Sequence, residues 1–358
     1  MNAVAWIESL SPWPDDGFGT GRMEALLADL GDPQLAYPSI HVVGTNGKTT
    51  TTRTIEAILL AEERQVGAFV SPHVLAWSER ITVGGVEADF EAAVARVRPA
   101  AERCRATQFE ALTAAALVTF ADTGVDVAAV EAGLGGRHDA TNVLRSPVQV
   151  LTNVALEHTD VLGETRELIA AEKLAVVQAG ATVVLGEPEW EPLARACGAG
   201  RVVVETGGNA ALAAAACSVF LGRRVDGVEV SVPGRLERVG DEIWDGAHTP
   251  EAVRYAVSRL PPIGVVVASM LRDKDVEGML AILAGISPRF VATQSSNARV
   301  LTAAELAVRA RPVFGRVEAV TDPVEALERA HELAEPVLVT GSLYLLADLA
   351  AVRPRRVP

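Results

Sequence analysis

The stretch Pro38 to Thr52, PSIHVVGTNGKTTTT, constrains this chain more than any other. Its apolar run from Ser39 to Val43 reads as a short strand entering a glycine-flanked turn. Lys48 and four threonines then open a helical run through Ile55, Ile58 and Leu59. In that order, strand, turn and helix aim backbone N–H groups and the positive end of a helix at one point, a cradle for a triphosphate. Lys48 adds a mobile charge, and a threonine hydroxyl can reach Mg²⁺. The loop is shorter than the eight-residue phosphate-loop pattern, which asks for glycine at position 42. The chain has Val42 there and places its glycine at Gly44.

The length, 358 residues, predicts two domains, each able to bury its own core. Hydrophobic residues make up 49% of the chain, too many for a disordered segment. No apolar run approaches the roughly 18 residues of a membrane span. The start, MNAVAWIESLSPWPDD, lacks a basic region before its apolar residues, so no secretory signal is expected and the protein reads as cytoplasmic. Cys104, Cys197 and Cys217 have no paired spacing and read as reduced thiols. A formal charge of −14 argues against nucleic-acid or acidic-membrane partners. Cationic contacts to an anionic substrate must then be local, and Lys48, Arg80, Arg137 and Arg235 are the candidates.

A helical lead-in over residues 1–37 precedes alternating strands and helices. Near-continuous apolar runs at Val125 to Glu131 and Pro147 to Val154 have the pattern of parallel strands covered on both faces. The expectation is an α/β fold: a phosphate-loop, doubly wound, mainly parallel sheet domain over 1–233, then a smaller Rossmann-like α/β domain over 234–358. Pro233-Gly234-Arg235 is the expected hinge, and the tail from Arg353 to Pro358 is expected to fray. Ser71, Glu131 and His158 fall at strand ends that an open parallel sheet lines up beside the phosphate loop. A hydroxyl, a carboxylate and an imidazole there suit a divalent cation, although Mg²⁺ prefers oxygen and histidine is its less usual ligand. Plainer roles stand beside these. Glu131 could pair with Arg137, His158 could cap a helix, Ser71 could be a turn serine, and Lys173 an exposed neighbour of Glu172.

Eight ordered blocks carry a family resemblance: IHVVGTNGKTT, FVSPHVLAWSERITVGG, FEALTAAALVTFADTGVDVAAVEAGLGGRHDATNV, EHTDVLGETRELIAAEK, PGRLE, DGAHTPEA, RDKDVEGML and VTGSLY. Together they resemble the folylpolyglutamate synthase/dihydrofolate synthase family of the Mur ligase superfamily. The resemblance implies an ATP-dependent amide ligase. A substrate carboxylate attacks the γ-phosphate to give an acyl phosphate, and L-glutamate's amine displaces the phosphate. It implies ATP contacts from Gly44, Thr45, Asn46, Gly47, Lys48, Thr49, Thr50, Asn209, Arg235, Asp245 and His248. It implies Mg²⁺ at two sites, through Thr49, Ser71, Glu131, His158 and Lys173, the lysine as its carbamate. Lys48, His158 and Lys173 become the catalytic candidates, and His73 and Arg80 face a substrate. Asp245 and His248 come from the second domain, so closure of the domains would shield the acyl phosphate from water. The implied partners are small molecules, a folate- or pteroate-like acid and L-glutamate, and the implied state is a monomer.

Three places depart from the family. Lys48-Thr49-Thr50 stands where the folate enzymes usually have Lys-Gly-Ser, closer to the peptidoglycan ligases. Thr249 replaces an asparagine in DGAHNP. The segment between Lys173 and Arg235 is short, and the small sheet normally built there is expected to be largely missing. Three readings follow: a folate-pathway ligase acting on dihydropteroate, tetrahydrofolate polyglutamate or both; a ligase of the same mechanism for another acid and amine; or a non-catalytic nucleotide-binding module.

Overall fold

The computed structural model describes residues 1–15 and 17–352; the tail from 353 onward, expected to fray, lies outside the described residues. The chain divides into two compact units, Met1–Val230 and Ser231–Pro358.

The first unit is built on an eight-stranded sheet. Its strands are β1 (Ser39–Val43), β2 (Val66–Phe69), β3 (Ile81–Val83), β4 (Val86–Glu87), β5 (Val127–Glu131), β6 (Val148–Leu151), β7 (Thr182–Leu185) and β8 (Arg201–Val204), in the order β4-β3-β2-β5-β1-β6-β7-β8. The six strands from β2 to β8 are mutually parallel, and β3 and β4 close one edge as an antiparallel hairpin. Strands β1, β2, β5 and β6 are buried along their whole length, which is why they read as unbroken apolar runs rather than alternating ones. The chain leaves β1 toward β2 on one side and leaves β6 toward β7 on the other. The ends of β1 and β6 therefore flank the switch point, where an open sheet forms its crevice.

Helices cover both faces. Phe90–Arg103 and Gln108–Thr123 pack with the lead-in helices Ala3–Ser9 and Gly21–Asp29 over Phe69, Ala128 and Val130. Lys48–Ala61 and Asn209–Leu221 cover Ile40, Val42 and Val150 on the opposite face. Gln108–Thr123 is bounded as its sequence dictates. Thr107 and Glu110 form a reciprocal capping box, and Gly124, at φ 67°, ends the helix in the left-handed region. The short segment after Lys173 forms β7 and β8, which extend the main sheet by two parallel strands rather than building a sheet of their own.

The second unit carries a six-stranded sheet: β9 (Glu237–Val239), β10 (Glu242–Trp244), β11 (Val265–Ala268), β12 (Arg289–Ala292), β13 (Arg316–Ala319) and β14 (Val337–Thr340). The order is β13-β12-β11-β14-β10-β9, parallel except for the edge strand β9. Its own apolar core runs through Ile243, Val266, Leu280, Phe290, Leu306 and Leu338. No helix of the described residues is long and apolar enough to cross a membrane.

Candidate active site

The phosphate loop joins the fully buried strand β1 to the helix Lys48–Ala61, and two glycines make the turn possible. Gly44 has φ 146°, and a Cβ there would lie 1.9 Å from Thr152 Oγ1; Gly47, the residue that caps the helix, has φ 80°. Both conformations are natural to glycine. The N–H groups of the helix's first turn have no partner four residues back and are the donors such a loop offers an anion.

The loop differs from expectation at two positions. The N–H groups of Thr45 and Asn46, expected to face phosphate, donate instead to Asn153, to its carbonyl at 2.9 Å and to its Oδ1 at 3.1 Å. The segment after β6 lies against them and captures both amides.

Two side-chain groups converge beside the loop. In one, Thr49 Oγ1 donates to Glu131 Oε1 at 3.1 Å, and the Ser71 N–H donates to Glu131 Oε2 at 3.1 Å. Glu131 is buried at the end of β5, and its expected alternative partner, Arg137, pairs with Glu172 at 3.2 Å. In the other group, Lys48 Nζ donates to the carbonyls of Gly44 (3.0 Å) and Thr45 (3.1 Å), and Lys173 Nζ donates to the same Gly44 carbonyl at 2.8 Å. Lys173 is 1% exposed, not a surface neighbour of Glu172, and it also bonds Glu157 Oε1 at 2.6 Å. Burial lowers its amine to a pKa of about 8, against the pull of Glu157 and with the help of Lys48. Burial alone would raise Glu157, but Lys48 and Lys173 outweigh it and hold the carboxyl below its usual range. Two ammonium groups thus face the Glu157 carboxylate beside the loop.

Glu157 is a residue the motif reading missed. The only signal was its place before His158 in the EHTD block. His158 itself is exposed, with φ 44°, and caps the short helix Thr159–Leu162. Thr50 follows Thr49 in the first turn, and Asn209 opens the helix Asn209–Leu221.

The turn after Ser71 is organised around Glu79, whose carboxylate accepts the N–H groups of Val74, Leu75 and Ala76. It holds His73 and Arg80 together: Arg80 Nε donates to His73 Nδ1 at 2.9 Å, and the guanidinium lies 4.6 Å from the Trp77 ring centre. Burial, then Arg80, lower His73 to about 4, so it is a neutral acceptor at pH 7. Burial brings Arg80 down to about 10 against the pull of Glu131 and Glu79, and it stays charged.

In the second unit, Asp245 directly follows β10. Its two oxygens accept the N–H groups of Leu236 and Ala247, each at 2.9 Å, and burial raises its pKa while Arg235 opposes the rise. His248 Nδ1 meets the Gly246 carbonyl at 2.8 Å; a carbonyl only accepts, so Nδ1 carries the proton. Thr249, in the place of the family asparagine, caps the helix Pro250–Val257 through Oγ1.

The donor set suits Mg²⁺: Thr49 and Glu131 present hard oxygens side by side. No group of three or more His, Cys, Asp and Glu among the described residues is placed to hold a metal by itself. A cation here would therefore complete its shell with phosphate oxygens and water.

Known proteins resemble this chain in sequence and fold. The Mur ligase middle domain family matches residues 42–188, and the Mur ligase glutamate ligase domain family matches residues 234–343. The chain is similar to the dihydrofolate synthase/folylpolyglutamate synthase of Mycobacterium tuberculosis, 32% identical over 90% of this chain and 84% of that protein. It is similar to the Escherichia coli protein of the same name, 32% identical over 98% of this chain and 94% of that one. Among solved structures it superposes on the Mycobacterium tuberculosis folylpolyglutamate synthase complexed with ADP and AMPPCP, with TM-score 0.86, 30% identity and 99% of each chain covered. It also superposes on the bifunctional folylpolyglutamate synthase/dihydrofolate synthase from Yersinia pestis complexed with AMPPNP and Mn ion, with TM-score 0.85, 31% identity and 99% and 98% covered. The chain belongs to the dihydrofolate synthase/folylpolyglutamate synthase family, ATP-dependent ligases built from Mur ligase middle and C-terminal domains.

Proposed function

We propose that this protein is a cytoplasmic monomer that joins L-glutamate to a pteroate or folate carboxylate through an acyl phosphate. The observation that carries the reading is the convergence of Lys48 and Lys173 on the Gly44 carbonyl, next to the Thr49–Glu131–Ser71 group. ATP lays its β- and γ-phosphates on the first-turn N–H groups from Gly47 to Thr50, and Lys48 swings from its own loop carbonyls to the phosphate oxygens. Asn209, Arg235, Asp245 and His248 are the proposed further nucleotide contacts. Mg²⁺, at two sites, would supply positive charge against the negative charge that develops on transfer. Thr49, Ser71 and Glu131 would hold one ion, and His158 with Lys173, the lysine as its carbamate, would hold the other.

The chain's own residues position and shield. The substrate carboxylate attacks the γ-phosphorus, ADP leaves, and the glutamate amine then attacks the acyl carbon and expels phosphate. Arg80, oriented by His73, offers a cation to an anionic end of the acyl substrate or of glutamate. A carbamate on Lys173 would stand beside Glu157, two anions together, a repulsion that the positive charge of a bound divalent cation would offset.

Phosphate release measured with ATP, Mg²⁺, dihydropteroate and L-glutamate, each omitted in turn, tests the reading. The expected result is release that needs all four, or the same with a tetrahydrofolate acceptor. ATP-dependent release with another acid, and none with either pterin, would overturn the substrate assignment.

A further inference from the structure

We propose that Asn153 is the positioning residue of the phosphate loop, a side chain that takes the place of a missing strand. Residues 152–158 follow β6 but belong to no strand or helix, although they run beside the loop after β1. Backbone groups in such a segment need partners from side chains. The Asn153 carboxamide supplies an acceptor and a donor side by side, the pair that a peptide group offers. Its Oδ1 accepts the Asn46 N–H at 3.1 Å, and its Nδ2 donates to the Asn46 carbonyl at 2.8 Å. The Asn153 carbonyl accepts the Thr45 N–H at 2.9 Å, and Thr152 Oγ1 adds a second donor to the Asn46 carbonyl at 2.7 Å.

The segment is braced from its other side as well. The N–H of Val154 donates to Glu187 Oε2 at 2.9 Å, and its carbonyl accepts from Arg166 Nε at 2.9 Å. Trp190 Nε1 donates to the same Glu187 oxygen at 2.7 Å. The polar groups of two loop residues are thus tied down by one asparagine, which is itself set on a braced rail. What remains of the loop for a ligand is the turn at Gly47 and the first-turn N–H groups beyond it. Asn153 acts on the loop through Asn46, which both ends of its carboxamide bond.

This rests on the nucleotide-binding reading of the loop but not on the identity of the acyl substrate. The test is the affinity of the full chain for AMPPNP with Mg²⁺, together with KM for ATP and for glutamate and the thermal midpoint without ligand. Asn153→Leu keeps the size and removes both hydrogen bonds; Asn153→Asp keeps the shape and turns the donor into an acceptor facing the Asn46 carbonyl. Each is expected to weaken AMPPNP binding and raise KM for ATP about tenfold or more, with KM for glutamate within about twofold of wild type. Should Asn153→Leu fail to fold, the isosteric Asn153→Asp carries the same measurement. A residue that only stabilised the fold would lower the active fraction and leave the affinity of the folded protein unmoved. Unmoved AMPPNP affinity in a folded variant overturns the proposal. Because AMPPNP binding needs no acyl substrate, a chain that binds it yet ligates no pterin leaves Asn153's role standing and sinks only the substrate assignment.

Discussion

Lys173 sits where three demands meet. Its amine is out of water, it shares the Gly44 carbonyl with Lys48, and it holds the Glu157 carboxylate. Removing it leaves Glu157 facing Lys48 alone and takes away the nitrogen on which a carbamate would form. Lys173→Ala is expected to lower phosphate release about 100-fold, the order found when one preorganised charge-stabilising group is lost. Formate or another short carboxylate should restore part of it. Rescue by a short alkylamine instead would show that the ammonium itself is the working group, and unchanged release would remove Lys173 from the site. Lys48, Thr49, Ser71 and Glu131 were legible in the sequence because each lies within a few residues of an apolar strand's end. Glu157 and Asn153 were not. Glu157 was marked only by its place before His158, and nothing marks Asn153, whose partner Asn46 lies 107 residues away.

Packing between a strand and its covering helix sets a different kind of constraint. Gly67 lies in β2 with ordinary backbone angles, but a Cβ there would come within 2.5 Å of the Phe120 ring of the helix Gln108–Thr123. Phe120 is fully buried and has no room to retreat. Gly67→Val is therefore expected to destabilise the first unit by about 1–3 kcal/mol in urea unfolding, the usual cost of overpacking. Adding Phe120→Leu should return part of that loss, since the two groups compete for one volume. Strict additivity of the two changes would show that they do not touch. The elements that the sequence showed plainly are those whose environment is uniform: β1, β5 and β6 are buried along their length and read as apolar runs. The edge strands β8 and β13 escaped notice because partly exposed RVVV and RVEA carry no clear period. The helix Leu343–Val352 escaped for the opposite reason, with apolar residues on nearly every side and little amphipathic contrast.

At the scale of the molecule, acids outnumber bases by 46 to 32, so protonation of a few well-placed groups weighs on stability. In the second unit His331 bridges two carboxylates, with Nε2 2.9 Å from Glu242 Oε1 and Nδ1 3.1 Å from Glu335 Oε1. Carboxylates only accept, so both contacts are hydrogen bonds only when the ring is the imidazolium. Burial alone would lower the ring's pKa, but the bonds to Glu242 and Glu335 outweigh it and hold it above the ordinary value of 6.5. A folded pKa raised above the unfolded one means a contribution fully present below about pH 6.5 and lost as pH rises through the folded value. Glu242 is the buried partner: it also accepts from Trp244 Nε1 at 2.6 Å, and it opens β10, the strand that Asp245 directly follows. His331→Leu removes one hydrogen-bond partner from that buried carboxylate at every pH near neutrality, which lowers the thermal midpoint by a constant amount. The pH-dependent part lies on top of it. The gap between wild type and variant should be wider at pH 6 than at pH 8.5 by about 2 °C, a small figure because the ring is partly exposed and its pairs are screened by solvent. Thermal scans of both proteins at the two pH values decide the matter, and a gap that stays the same or widens toward pH 8.5 would mean that the imidazolium bridge does not hold the second unit's sheet to its helix.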